Sequence, residues 1–252
     1  MDWVAHIVTI ITGQAFDTFL QERIFKPLGM SSTNGWYIPE GPLMENISPG
    51  YIPDENGVLC GFPEAMAGFS TAGAAVAQRE NAGVAGQTGG GGIISSSNDY
   101  FKFALMLANK GVGPNGTRIL KPETVKVMMT DHLEDDVYNS HVVFGDAAGG
   151  CAIADAAQGI VPGKVGFGCG GYVVKDQDFV KEAMGPVGVG TYGWLGYSFT
   201  EFWVDPAKEL TVSFHSQVLW GQFLGMGYEQ DGKYLADFKR IVAEKVYGAM
   251  GL

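Results

Sequence analysis

Glycine accounts for 38 of the 252 residues, which is about twice its usual share of ~7%. The glycines follow no G-x-y period, so a collagen-type triple helix is excluded. Because glycine adopts backbone conformations that other residues avoid, this content predicts many tight turns and close backbone contacts. The chain is 46% apolar and 17% charged, and it is long enough to bury a full hydrophobic core. We therefore expect a globular domain, not a disordered or fibrous chain.

The net charge is −11, from 16 Lys and Arg against 27 Asp and Glu. A nucleic-acid or anionic-membrane partner requires a basic face, so we expect neither. The longest apolar run near the start, residues 3–11, is too short to span a bilayer and lacks the basic flank of a signal peptide. Cys60, Cys151 and Cys169 form no metal-binding or disulfide pattern. This cysteine usage favours the cytoplasm and leaves the compartment open.

Apolar periodicity places the secondary structure. Helices are predicted at 2–12, at 15–25 with Pro27 and Gly29 ending it, at 100–109, from Pro122 onward and at 229–247. Strands are predicted at 167–174, 191–195, 198–204 and 210–214, with the last two forming a hairpin. Residues 31–92 and 131–165 are loop-rich. Helices, a long lobe, more helices, antiparallel strands and a final helix indicate an α+β fold with helices packed on a sheet.

Serine nucleophiles need a base within hydrogen-bond reach, and S-x-x-K at a helix start is one solution. No serine of this chain has Lys three positions later. The G-x-S-x-G elbow is also absent: residues 68–72 and 196–200 both fail at the last glycine. The sequence therefore contains neither of these arrangements for nucleophilic serine catalysis.

Signals for cofactors and metals are weak. Gly166 to Gly171 fits G-x-G-x-x-G, but Tyr172-Val173-Val174 follows as a strand, whereas a dinucleotide site needs a helix there. Residues 159–164 are one residue short of a P-loop. The carboxylates of residues 134–136 are most simply a solvated loop. The histidines are scattered and are expected to be structural, not metal ligands: His6, His132, His141 and His215. We expect no cofactor.

Four segments of the chain form a pattern when they are taken together. They are Ile11 to Phe16 continuing to Ile24-Phe25-Lys26-Pro27-Leu28-Gly29-Met30; Gly89 to Ser97 with Asp99, Tyr100 and Phe103; Asn115 to Leu120 with Pro122-Glu123-Thr124; and Trp194-Leu195-Gly196 running through Phe202-Trp203-Val204-Asp205-Pro206. Together they resemble the serine β-lactamase-related family, which includes class C β-lactamases, D-alanyl-D-alanine peptidases and β-lactamase-like carboxylesterases. Their order and spacing carry the resemblance, which runs from about Ile7 to the C-terminus.

The resemblance implies an antiparallel sheet carrying terminal helices beside a helical lobe, with the active site between them. Members of the family use an S-x-x-K serine as the acylated nucleophile, a Y-x-N tyrosine as proton relay, and a third motif on a strand lining the cleft. That motif is K-T-G in lactamases and often W-x-G in esterase-like members. Here it maps onto Trp194-Leu195-Gly196 as substrate-binding residues, with the backbone N–H of Tyr197 as an oxyanion donor. The alternative is that Trp194 is only a packed strand aromatic.

The family places S-x-x-K and Y-x-N upstream of the helix that here begins near residue 2. The chain thus resembles the C-terminal portion of the domain: a single, N-terminally incomplete domain over 1–252, with 31–165 mostly cleft lobe and 166–252 carrying the sheet hairpins and the last helix. Without nucleophile, base and tyrosine we expect it to be inactive alone. Missing strands would also leave backbone groups unpaired, so we expect a marginal chain, a homo-oligomer, or completion by another segment.

Three interpretations remain open. The chain is part of a serine hydrolase acting on a small ester or amide, or it is a catalytically dead binding protein, or one of its own serines is activated by an unrecognised arrangement. Trp in place of the Lys of K-T-G offers no cation to a β-lactam or peptide carboxylate. Small carboxylic esters are therefore favoured over β-lactams and D-Ala-D-Ala peptides.

Overall fold

The computed structural model describes residues 2–33, 48–53, 59–61, 93–133, 163–196, 200–218 and 231–252. Its helices are α1 (Asp2–Thr12), α2 (Phe16–Leu20), a π-helical turn (Gln21–Phe25), α3 (Lys26–Leu28), α4 (Ser97–Ala108), α5 (Pro122–Met128), α6 (Gln177–Met184) and α7 (Asp231–Ala249). Its strands are β1 (Tyr51–Pro53), β2 (Leu59–Gly61), β3 (Val165–Phe167), β4 (Tyr172–Val174), β5 (Tyr192–Gly196), β6 (Thr200–Asp205) and β7 (Leu210–Phe214). The predicted α+β class is confirmed.

Backbone contacts divide the chain into two compact units. The first comprises Met1–Phe103, Val112–Ile119 and Gln217–Leu219, and the second comprises Ala104–Gly111, Leu120–Ser216 and Trp220–Leu252. The first unit therefore holds α1 to α3 and the short antiparallel β1–β2 pair. The second holds the larger sheet.

The predicted helix at 15–25 is interrupted and longer than expected. It runs from α2 through the π-helical turn into α3, and Pro27 lies inside α3, not beyond its end. Proline has no N–H to donate to the preceding turn, and a wider turn is one way to accommodate it. Gly29 ends α3 in the left-handed conformation, at φ 68°, which is the usual role of glycine after a helix.

A buried carboxylate joins two of the recognised sequence segments in the first unit. Asp99, in the first turn of α4, accepts hydrogen bonds from Ser32 N at 2.6 Å, Thr33 Oγ1 at 3.1 Å and Lys102 Nζ at 2.8 Å. The P-L-G-M segment is thereby fastened to the start of α4. Asn115 of the third segment donates from Nδ2 to the Pro27 carbonyl at 2.8 Å. These segments thus hold one another in place.

Within the described residues of the second unit, five strands form an antiparallel sheet in the order β3-β4-β5-β6-β7. Strand residues alternate between its two faces, and α6 and α7 pack on one of them. The buried cluster formed there comprises Val165, Tyr172, Val174, Val180, Ala183, Met184, Val187, Trp203, Val212, Ala243 and Tyr247. The C-terminal helix is thus held to the sheet mainly by apolar contacts.

The single strand predicted at 167–174 is wrong. The structure has two strands, β3 and β4, paired as a hairpin with Val165 opposite Val174 and Phe167 opposite Tyr172. Gly168 to Gly171 form the turn between them, and Gly170 has φ 87°. The glycines that resemble G-x-G-x-x-G therefore build a hairpin turn. The following residues are strand, as predicted, and not the helix that a dinucleotide site requires.

The D-P pair of the fourth segment organises the turn between β6 and β7. Asp205 is fully buried and accepts hydrogen bonds from Gly188 N at 2.7 Å, Tyr247 Oη at 2.7 Å, Ala207 N at 3.0 Å and Lys208 N at 3.1 Å. Four donors offset the cost of burying this carboxylate. The aspartate links the turn, the β5 entry and α7.

Helix α6 is absent from the sequence prediction. Its start is nevertheless encoded by Asp176, whose side chain accepts a hydrogen bond from Phe179 N at 3.1 Å, the standard arrangement of an N-cap. A hydrogen bond from Lys164 holds the pKa of the Asp176 carboxyl below its usual value, and the Phe179 N–H contributes in the same direction. The β1–β2 pair, inside the predicted loop-rich lobe, is also new.

Candidate active-site strand

The W-x-G segment forms the second half of β5, the central strand of the described sheet. Strand β6 pairs along all five residues of β5, from Tyr192 opposite Val204 to Gly196 opposite Thr200. Among the described residues, β4 pairs only with the first two residues of β5. The β4 side of Leu195 and Gly196 therefore extends beyond the sheet ladder. No described strand pairs with Leu195 or Gly196 on this side.

Trp194 is half-buried and lies opposite Phe202 of β6. Its ring meets the ring of Phe167 edge to face, with centroids 5.3 Å apart and planes at 87°, an arrangement that stabilises aromatic pairs. The tryptophan also packs beside the buried cluster. It is thus a packed strand aromatic with part of its surface accessible. Its role in binding substrate stays a prediction.

Gly196 lies close to a side chain of the neighbouring strand. A Cβ at this position would overlap the Thr200 hydroxyl on β6. The predicted reason for this glycine was close approach of substrate, and the structure adds cross-strand crowding as a second reason. Leu195 is half-buried beside the same cluster, opposite Glu201. Tyr197, the predicted oxyanion donor, lies outside the described residues, so its role stays a prediction.

A buried charged cluster, which the sequence analysis missed, lies next to β5. Lys239 of α7 has a side chain only 1% exposed and forms an ion pair with Glu201. Its Nζ also donates to the Tyr172 hydroxyl at 3.0 Å and lies 4.7 Å from the centroid of that ring. Tyr172 and Glu201 are cross-strand neighbours of Gly193 and Leu195. The cluster fastens α7 to the strands on either side of β5.

One hydroxyl–imidazole pair lies on the same row of the sheet as Trp194. Ser213 of β7 is opposite Phe202, and its Oγ is 2.7 Å from Nε2 of His215. Burial lowers the pKa of His215, and the tautomer of the neutral ring decides whether Nε2 accepts the serine proton or donates its own. The distance fits a nucleophile–base pair, but stabilisation of an oxyanion is a separate requirement. The sequence signal for this pair is the S-x-H spacing at the end of β7, with Ser213 in the strand and His215 directly after it.

The remaining candidate residues have structural surroundings or lie outside the described residues. His6 is exposed and its ring lies against Trp3. The Nε2 of His132 hydrogen-bonds the Val127 carbonyl at 2.6 Å. His141, Cys151 and residues 134–136 are not among the described residues, and Cys169 is a free, exposed thiol.

The described part of the chain has neither a metal-binding cluster nor a membrane-spanning helix. Its Asp, Glu, His and Cys side chains form no cluster of three or more that could hold a metal ion. None of its helices is both long enough and apolar enough to cross a bilayer.

Comparison with known proteins decides the family. The Beta-lactamase family model matches residues 1–222, which is most of the chain. The chain belongs to the beta-lactamase family. The resemblance seen in the four sequence segments is therefore confirmed.

Two curated relatives of this chain have different names. A lovastatin esterase of Penicillium rubens is 26% identical over 255 residues, covering 98% of this chain and 54% of that protein. Protein Rv1367c of Mycobacterium tuberculosis is 34% identical over 125 residues, covering 49% of this chain and 27% of that protein. The chain thus spans about half the length of the lovastatin esterase and less of the mycobacterial protein.

Solved structures show the same fold. Unliganded simvastatin synthase from Aspergillus terreus superposes with a TM-score of 0.69 at 20% identity, covering 98% of this chain and 54% of that one. EstCE1, a hydrolase with promiscuous acyltransferase activity, gives a TM-score of 0.58 at 18% identity, covering 94% and 53%. The fold of this chain is therefore about half of the fold of each neighbour.

Proposed function

We propose that this chain contributes the substrate-lining strand of a serine hydrolase that forms an acyl-enzyme with small carboxylic esters. The observation that carries the proposal is the end of β5, where Leu195 and Gly196 extend past β4 while remaining paired to β6. A strand held on one side and open on the other can bind an extended acyl or alcohol group. The names of a lovastatin esterase and of EstCE1, a hydrolase with promiscuous acyltransferase activity, support this substrate class.

In this proposal the nucleophile is outside these 252 residues. No serine here is followed by Lys at the S-x-x-K spacing, and acyl transfer by this family depends on that pair acting as a unit. The chain supplies binding at β5 and the oxyanion donor predicted at Tyr197, and a second segment supplies the serine, its lysine and the tyrosine.

Labelling tests where the nucleophile lies. The folded 252-residue chain is treated with excess fluorophosphonate, and its intact mass is compared with that of the lovastatin esterase relative treated in the same way. We expect the chain to remain unmodified while the esterase gains one adduct. A stoichiometric adduct on the chain would overturn this part of the proposal, and peptide mapping would identify the serine. Ser213 is the first position to map, since its hydroxyl is hydrogen-bonded to His215.

Substrate preference is tested by supplying the missing half. A chimera is made by fusing the chain to the C-terminal end of the part of the lovastatin esterase that it does not match. Its hydrolysis of p-nitrophenyl butyrate is compared with its hydrolysis of a chromogenic cephalosporin. We expect the ester to be favoured. We also expect Trp194→Lys to shift the ratio toward the cephalosporin, because it restores a cation for the substrate carboxylate. Trp194→Phe is the matched control, and equal ratios in the two variants would contradict the assignment.

A catalytically dead binding protein is the second candidate, favoured by the absence of S-x-x-K. The two candidates differ in one measurement on the chimera. A hydrolase turns over p-nitrophenyl butyrate, whereas a binding protein is stabilised by a non-hydrolysable phosphonate analogue without turning over the ester. Turnover at the rate of the uncatalysed reaction, with stabilisation by the analogue, would select the second candidate.

A further inference from the structure

Helix α1 carries its apolar side chains on the outside. Trp3 is 79% exposed, Ile11 78% and Ile10 67%. The residue of α1 that is fully buried is the small Ala5, at 1% exposure. Large apolar groups normally face the interior of a helical protein, and a contiguous exposed apolar patch marks an interaction surface.

The exposed side chains form one stripe. At 100° per residue, they fall within an arc of about 120° on one side of the helix, and Ala5 lies on the opposite side. The stripe, called the α1 face below, comprises Trp3, Val4, Ile7, Ile10 and Ile11. Its width matches the apolar stripe that an amphipathic helix buries against a partner.

Charge argues against two occupants of the α1 face, an anionic lipid surface and a second copy of the chain. Between Asp2 and Thr12 there is no Lys or Arg, so the helix lacks the basic flank with which interfacial helices bind anionic lipid. A second copy of the chain would bring together two molecules of net charge −11, and this repulsion opposes self-association.

The comparisons supply a third occupant. Nearly all of this chain, 98%, aligns with 54% of the lovastatin esterase and with 54% of the simvastatin synthase chain. Each of these relatives therefore contains almost as much polypeptide again outside the part that this chain matches. We infer that the α1 face docks that other part of a beta-lactamase-family protein. This inference rests on the proposed function, because it identifies the surface through which the catalytic half is joined.

The test uses the full 252-residue chain co-expressed with the unmatched half of the lovastatin esterase, and separately with that of the simvastatin synthase. Amide hydrogen exchange of residues 2–12 and the dissociation constant of the pair are measured. We expect slowed exchange in α1 when the complex forms. We expect the dissociation constant to rise by about 100-fold or more in the double variant Ile7→Lys/Ile11→Lys, since two isoleucines that the complex would bury are lost. The matched control is Val127→Lys/Val189→Lys, because both valines are 53% exposed and lie outside α1.

Each other outcome overturns the inference. If neither half slows exchange in α1, or if the α1 and control variants bind equally, the α1 face is not the docking surface. If the chain alone forms a dimer that Ile7→Lys/Ile11→Lys disperses, the occupant is a second copy. If the chain sediments with neutral phosphatidylcholine vesicles and the variant does not, the occupant is a lipid surface.

The inference and the proposed function fail separately. Protection of α1 in a complex that does not hydrolyse p-nitrophenyl butyrate would keep the docking surface and remove the proposed activity. Hydrolysis by a complex in which α1 exchanges as fast as in the isolated chain would keep the activity and remove the docking surface.

Discussion

The buried ion pair between Lys239 and Glu201 makes the folded state sensitive to loss of either partner alone. The Lys239 side chain is 1% exposed and that of Glu201 is 11% exposed. In the variant Lys239→Met the apolar stem of the side chain is preserved and the ammonium is lost. The Glu201 carboxylate then keeps the Tyr172 hydroxyl, 3.3 Å away, but has lost its ion-pair partner. Removing one partner of a buried pair costs about 3–5 kcal/mol.

The double variant Lys239→Met/Glu201→Leu separates charge from packing. It removes both charges and leaves two apolar side chains between the sheet and α7. Replacing a buried pair by apolar residues of similar volume is often neutral, so we expect the double variant to be more stable than the single variant by about 2 kcal/mol or more. The Tyr172 hydroxyl loses its hydrogen bonds with Lys239 and Glu201 in the double variant, which offsets part of the recovery.

Urea unfolding of the full chain, followed by circular dichroism, measures these differences. The variant Lys245→Met is a matched control, because Lys245 is on the same helix and is exposed; surface substitutions of this kind change stability by about 0.5 kcal/mol or less. The reasoning is refuted if Lys239→Met costs no more than Lys245→Met. Glu201→Leu is measured as the second single variant, and the reasoning is also refuted if the double variant costs the sum of Lys239→Met and Glu201→Leu, since the charges then do not interact.

Three further predictions concern the sheet and its turns. Gly193→Ala should destabilise the chain more than Gly196→Ala, by about 1–3 kcal/mol in urea unfolding. A Cβ at Gly193 meets a backbone carbonyl of β6 and lies 2.7 Å from the Tyr172 hydroxyl, whereas a Cβ at Gly196 meets a side-chain hydroxyl that can rotate. Equal losses of stability in the two variants would contradict this. Asp205→Asn should cost about 1–3 kcal/mol, since an amide NH₂ then faces N–H donors; unchanged stability would show that the four hydrogen bonds are dispensable. Burial lowers the pKa of His215 from its ordinary 6.5, so the unfolded chain binds this proton at higher pH than the folded chain does, and the free energy of unfolding should fall as the pH drops below about 6.5. His215→Gln should make the free energy of unfolding less dependent on pH between pH 7 and 5. An unchanged pH dependence in this variant would contradict the prediction.

Local signals explain why much of the secondary structure could be predicted. The helix predicted at 2–12 is found at Asp2–Thr12, the helix opened by Pro122 begins there, and the hairpin around Asp205 is present. Each is determined by neighbours within a few residues: a glycine stop, a proline at the first helical position, or a turn between two apolar strands. The short elements were not predicted correctly. Strands of three residues and an eight-residue helix contain too little periodicity to identify.

The site shows a sharper division. The resemblance to the family placed Trp194 and Gly196 on one strand, and the structure has both in β5. The Lys239 cluster joins residues from β4, β6 and α7 that are as much as 67 residues apart, so no local pattern could indicate it. On the sequence, Lys239 is simply a polar residue of an amphipathic helix. Only the packing of α7 on the sheet shows that its charge is buried and paired.

The recognised sequence segments mainly stabilise the fold. Asp99 accepts hydrogen bonds from the loop after the P-L-G-M segment, and Asp205 accepts them from the turn between β6 and β7 and from Gly188 before β5. A hydrolase and a binding protein built on this fold need these contacts equally. The presence of the segments therefore establishes the family and the fold but does not discriminate between the two candidate functions. That decision rests on a nucleophile placed against the open end of β5, which is why labelling and supply of the missing half are the decisive experiments.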